Sequence, residues 1–96
     1  FAAIHYCAFL KNYEGIKALI AADADLNVRD SKSGRTALFH ALENEDLQIT
    51  KELLANGATP IVPNFSGQTV FHLVDDTKHV SLKELLNKAT KSKTTS

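Results

Sequence analysis

The chain repeats one phrase, and that repetition restricts its fold more than any other feature. "SGRTALFH" at 33–40 returns as "SGQTVFH" at 66–72, and a copy lacking its opening, "AAIHYCAFL", stands at 2–10. Alignment on the phrase brings Ala2, Thr36 and Thr69 into register, at spacings of 34 and 33. Each copy continues into a turn and a second segment with apolar residues at helical spacing. These are Ile16, Leu19 and Ile20, then Leu47, Leu53 and Leu54, then Leu82, Leu85 and Leu86. The third set arrives one position early, which predicts a shortened turn. A helix pair of this size cannot bury its own apolar stripes, but stacked copies can, and about three repeats are the usual minimum. The expected fold is an all-α solenoid of about three stacked helix-turn-helix repeats joined by short hairpins. Its expected divisions are 1–33, 34–66 and a capping repeat at 67–88.

Local signals refine this outline. Thr36 and Thr69 stand where a hydroxyl can accept a bond from the first helical turn, and Gly34 and Gly67 allow the tight turn before them. Gly57 falls where the second helix must stop in a left-handed residue. Asp23 holds that place in the first copy at a modest expected cost. Pro60 and Pro63 remove backbone donors, so the hairpin at 57–64 should be more irregular than the one near 29–35. Residues 89–96 carry Lys91 and Lys93 among small polar residues and have little to bury, which predicts a disordered basic tail. The chain also opens at Phe1 already inside a repeat, so a longer parent with further repeats is expected.

Composition excludes several classes of function. Eleven basic and eleven acidic residues give a formal charge of zero, so no global field draws the chain to nucleic acid or an anionic membrane. No apolar run approaches the roughly 18 residues of a membrane span, and no signal peptide is apparent. The single cysteine, Cys7, cannot form an internal disulfide. It reads as an interior thiol of a protein working in a reducing intracellular compartment.

The repeated phrase resembles a known signature. "AAIH", "TALF" and "TVFH" are similar to the T-P-L-H of ankyrin repeats, and "DADLNVRD" at 23–30 is similar to the ankyrin hairpin phrase. The resemblance covers residues 1 to about 88. It departs at Ala2, which lacks the hydroxyl, and at Phe39, which replaces the histidine. A finer resemblance lies in "DSKSGRTALFHALEN" at 30–44, with one residue more than usual between aspartate and glycine, and in "NFSGQT" at 64–69. Both are similar to runs in IκB-type proteins, particularly the atypical nuclear members. The resemblance implies protein recognition, with Rel/NF-κB transcription-factor dimers as partners. It also implies that His5 and His72 bond the neighbouring hairpin backbone. An adaptor domain that recruits an unrelated protein is the alternative.

Chemistry finds little support. The four histidines make no ligand pair with cysteine or carboxylate at zinc spacing, so no metal or other cofactor is expected. The acidic run at 43–46 reads as a solvated turn, and 74–76 reads the same way. No phosphate cradle and no Ser–His–Asp spacing is present, so neither an enzyme nor a small-molecule substrate is indicated. Lys88, Lys91 and Lys93 at the end of the chain would provide weak, salt-sensitive attraction to nucleic acid. Ankyrin-like stacking instead lines one face with hairpin tips and the ends of the first helices. In this sequence those positions are Arg29, Lys32, Ser33, Arg35, Glu43, Asn44, Phe65, Ser66, Gln68, Asp76 and Thr77, with Phe9 and Leu10 at the front. Arg29, Arg35 and Phe65 are the expected anchors of a protein partner, although Phe65 could instead pack on its own hairpin. Phe9 and Leu10 could equally have met an earlier repeat.

Overall fold

The computed structural model describes residues 2–74 and 79–94. Five helices follow in order: α1 (Ala3–Phe9), α2 (Tyr13–Ala21), α3 (Ala37–Glu43), α4 (Leu47–Ala55) and α5 (Val80–Thr94), with one 3-10 turn at Val70–Leu73. No strand occurs among the described residues. Helices α1 and α3 and the 3-10 turn pack in sequence as an inner layer, while α2, α4 and α5 pack in sequence as an outer layer. Extended fingers at 23–36 and 57–69 join one pair to the next. The layers close on one core built from Ile4, Ala8, Ile16, Leu38, Phe39, Ile49, Leu53, Val70, Leu82 and Leu86.

Three expectations about the helices change. The first helix of the third copy is reduced to its 3-10 turn, after which the backbone at Val74 is extended. Val70 and Val74 are β-branched and disfavour helix. Helix α5 in turn runs on to Thr94, across the stretch expected to be a disordered tail from 89. That stretch contains no proline or glycine to stop it. Leu47, assigned to a buried stripe by its spacing, stands exposed at the first position of α4.

The side-chain caps sit on the second helices rather than the first. Asn12 Oδ1 accepts from the N–H of Gly15 at 3.0 Å, and Asp46 Oδ1 from that of Ile49 at 3.1 Å. These two caps lie one repeat apart, and each follows a residue in left-handed backbone, Lys11 at φ 59° and Glu45 at φ 54°. Thr36 makes no side-chain cap bond. At the other two phrases the bond runs the opposite way: His5 Nδ1 accepts from the N–H of Ala2 at 2.9 Å, and His72 Nδ1 from that of Thr69 at 3.1 Å. Phe39 holds the equivalent place in the middle copy and has no acceptor to offer. Asp23 takes φ 64° where Gly57 takes φ 107°, so the aspartate does adopt the left-handed stop.

Polar stitches tie the first helix to its finger and one copy to the next. With Nδ1 of His5 accepting, Nε2 carries the proton and donates to the carbonyl of Val28 at 2.9 Å, the finger bond that the family resemblance implies. Asn27 joins the first finger to the second: its Nδ2 donates to Gly57 O at 3.1 Å, and its Oδ1 accepts from Thr59 N–H at 2.8 Å. On the outer layer, Tyr13 donates its hydroxyl proton to Glu52 at 2.9 Å.

Comparison of equivalent positions shows what stacking contributes. His40 is 4% exposed beneath α1, whereas Tyr6, its counterpart in the first copy, is 54% exposed. Ala37 is buried and its counterpart Ala3 is not. Burial therefore belongs to the stack and not to any single helix pair. Leu53 lies fully buried where α4 meets its neighbours. Leu53→Ala should cost about 2–5 kcal/mol of unfolding free energy, read as a lower urea midpoint with the slope unchanged. A cost below about 1 kcal/mol would contradict the packing.

Candidate functional site

The finger tips owe their shape to two residues one repeat apart, Asp30 and Asn64. The N–H of Asp30 bonds Arg35 O at 2.9 Å, and the N–H of Asn64 bonds Gln68 O at 2.8 Å. The first of these loops is one residue longer, as "DSKSG" against "NFSG" requires. Inside it, Asp30 Oδ1 accepts from the N–H groups of Lys32, Ser33 and Gly34 at 3.0, 2.6 and 3.1 Å, and the Ser33 hydroxyl also donates to the carboxylate. Asn64 Oδ1 accepts from Ser66 and Gln68 N–H at 2.9 and 3.0 Å. Pro60 and Pro63 lie before this tip and leave its closing bond intact, so the irregularity expected of the second finger does not reach the tip.

Asp30 is buried. Burial by itself would raise its carboxyl, but the Ser33 N–H and hydroxyl and the N–H groups of Gly34 and Lys32 outweigh it and hold the group at about 2. Ser33 is thereby committed to the turn through its side chain.

Phe65 sits across the boundary between fingers. Its N–H bonds Ser33 O at 2.9 Å, and its ring lies over Gly34 and beneath Arg29, whose guanidinium carbon is 5.0 Å from the ring centre. The ring nevertheless remains 60% exposed. Phe65 therefore packs on the preceding finger, not on its own hairpin, and still presents most of its surface to solvent. Gly34 is obligatory for this contact. Its φ is +75°, and a Cβ there would lie 2.5 Å from the Phe65 ring and 2.8 Å from the Phe65 nitrogen.

Arg35 turns toward the inner layer and pairs with Glu43, Nη1 to Oε2 at 2.9 Å. Both side chains are partly open to solvent, so the pair adds little stability, but it neutralises two of the expected partner contacts against each other. His40 lies behind Glu43 at 3.6 Å and meets the edges of His5 and Phe9. Burial, then the electrostatic influence of the neighbouring His5 ring and of the Arg35 guanidinium, lowers its pKa. Asn44 donates Nδ2 to the carbonyls of Ala8 and Phe9 at 3.2 and 3.0 Å, closing the end of α1. Phe9 and Leu10 remain exposed beside it.

The structure thus brings Arg29, Lys32, Ser33, Phe65 and Gly34 together at the tips, and Arg35, Glu43, Asn44 and Phe9 beside them on the inner helices. Ser66 and Gln68 are exposed on the second tip. Asp76 and Thr77 lie outside the described residues. Sequence reasoning missed Asp30, Asn64 and Asn27 as the side chains that shape and align the fingers. The signal was an acidic or amide residue recurring 34 positions apart. No group of three or more His, Cys, Asp or Glu forms a metal site among the described residues, and no helix among them is long and apolar enough to cross a membrane.

The family model described as Ankyrin repeats (3 copies) matches residues 4–95. The chain is an ankyrin-repeat protein. It is 34% identical over 70 residues to the B-cell lymphoma 3 protein homolog of Mus musculus, covering 73% of this chain and 16% of that protein. It is 33% identical over 88 residues to the nuclear factor NF-kappa-B p105 subunit of Gallus gallus, covering 91% and 9%. The chain therefore spans less than a fifth of these relatives' length. The crystal structure of the ankyrin repeat domain of Bcl-3, described as a unique member of the IkappaB protein family, superposes with a TM-score of 0.84. That match has 29% identity and covers 93% of this chain and 39% of that one. Ankyrin repeats form a non-catalytic protein-interaction fold, and this chain is a protein-interaction module similar to those of the IκB group.

Two predictions follow from the tips. A carboxyl held below its unfolded value stabilises the fold above about pH 4, and that contribution disappears as pH falls through about 2. The gap in unfolding free energy between wild type and Asp30→Asn should be about 2 kcal/mol at neutral pH and close toward pH 2. A gap that is flat with pH would contradict it. Gly57→Ala, with open space around it, should cost about 1–2 kcal/mol of backbone strain. Gly34→Ala should cost about 3 kcal/mol, because Phe65 must also move. Equal midpoints in urea for the two variants would be inconsistent with the Phe65 contact.

Proposed function

We propose that this ankyrin-repeat chain is the recognition part of an IκB-like regulator that grips a Rel/NF-κB-type dimer, working in the nucleus or cytoplasm. The likeness that carries the reading is to the Bcl-3 ankyrin domain, over 93% of the chain at a TM-score of 0.84. The IκB-like run at 30–44 supports it, since that run supplies the lengthened finger and its Asp30 scaffold. Relatedness to the p105 subunit over 91% of the chain points in the same direction. The contact face consists of Arg29, Lys32, Ser33, Arg35, Glu43, Asn44, Phe65, Ser66 and Gln68. Arg29 and Phe65 serve as anchors because they are exposed, preorganised and of the residue types that dominate interfaces. Ser33 and Asn44 act mainly by shaping the face, given their bonds to Asp30 and α1. The free Cys7 thiol, half-buried beside Gly15, suits a reducing compartment.

A second reading has its own support. The chain is also 30% identical over 83 residues to the Tyrosine-protein kinase Shark of Drosophila melanogaster, a protein of another kind, which favours an adaptor role. Calorimetric titration with a purified Rel-type dimer separates the two readings. Wild type should bind saturably, and a combined Arg29→Ala and Phe65→Ala variant, shown folded by circular dichroism, should bind about 30-fold more weakly. Equal binding by both would place the interface elsewhere. No saturable binding at micromolar concentrations would favour the adaptor reading.

A further inference from the structure

The first finger tip carries cations whose polar edges are unused. Arg29 lies over the Phe65 ring at cation–π distance, 5.0 Å from guanidinium carbon to ring centre, and no side-chain hydrogen bond engages the five donors of its guanidinium fork among the described residues. Among the described residues, Arg29 and Lys32 form no ion pair. Both side chains are exposed. The acids close in sequence are already engaged: Asp30 is buried under the donors of its own turn, and Glu43 is paired with Arg35. The Asp30 carboxylate keeps its charge inside the turn, so what the tip shows to solvent is two exposed cations, Arg29 and Lys32, beside an exposed aromatic surface.

The geometry is held in advance of any ligand. Phe65 is held from below by its N–H bond to Ser33 and by contact with Gly34, and Arg29 is drawn over the ring, so part of the side-chain ordering that binding requires is already made. We infer that the tip formed by Arg29, Lys32 and Phe65 receives an acidic polypeptide segment. One carboxylate is chelated by the guanidinium fork of Arg29, Lys32 adds long-range attraction, and an apolar neighbour in the segment rests on the open part of Phe65. This rests on the protein-recognition reading and specifies the chemistry of the partner surface. A nucleic-acid backbone suits the tip less well, because only two unpaired cations face it and phosphate binding gains little from the ring.

The test follows the Nε–Hε resonance of Arg29 during titration with a soluble peptide of glutamates flanking a single leucine, at physiological salt. The same peptide with lysine for glutamate and a short DNA duplex serve as comparison probes. The acidic peptide should shift the resonance saturably. Arg29→Ala should weaken its binding roughly tenfold, and Arg29→Lys should lose most of the same amount because the fork is absent. Phe65→Leu should leave the charge in place and still weaken binding, since it removes the platform. An unmoved resonance, undiminished binding by Arg29→Ala, or tighter binding of the duplex would each overturn the inference. Response to the acidic peptide without binding of a Rel-type dimer would defeat the Rel reading and leave this one standing. Dimer binding without response to the peptide would do the reverse.

Discussion

Helix pairs of seven and nine residues expose more apolar surface than they can cover, and the rest of this structure depends on how that surface is hidden. Stacking hides it. Ile16, Ile49, Leu53 and Leu86 disappear because each pair lies against another, and the contrast between exposed Tyr6 and buried His40 isolates the effect of a neighbour at a single position. Registration is then a matter of polar geometry. His5 ties α1 to the finger of its own copy, and Asn27 and the backbone of Phe65 each join one copy to the next, so a slip of one residue would leave several donors and acceptors without partners.

That registration is also what builds the recognition face. The fingers project from the stack at fixed separation, and Asp30 and Asn64 give each tip a closed shape. Because the second tip packs over the first, Phe65 comes to lie on Gly34 and beneath Arg29. A cation and an aromatic side chain that are 36 positions apart in sequence become one surface element. The neighbouring Arg35–Glu43 pair is internally neutral, so the charge that faces outward is concentrated at Arg29 and Lys32.

The repeat period was enough to read the architecture, because a spacing of 33 or 34 with apolar residues at helical intervals has few packing solutions. Leu53, Leu82 and Leu86 are buried as their spacing predicts. Local details were less legible where one signal has two uses. A threonine before a helix suggests a cap, yet at Thr69 the acceptor is the histidine three residues on, and at Thr36 no cap forms. The Val70–Leu73 segment matches the helical phrase but is rich in β-branched neighbours and closes only one turn. In the face, Arg29, Arg35 and Phe65 could be selected as residue types suited to binding. Their pairings could not, because the contact of Phe65 with Arg29 depends on how far one finger leans over the next, and the capture of Arg35 by Glu43 on how the tip turns toward α3. Asn44 looked like a contact residue from its offset alone, and its bonds to α1 give it a structural task as well.

The most direct test of the account is amide hydrogen exchange of the chain with and without a saturating Rel-type dimer. Contact through the finger side predicts added protection at residues 29–35 and 64–68 and along the ends of α1 and α3, with α2, α4 and α5 unchanged. Protection confined to the outer helices, or none at any position, would contradict the proposed face.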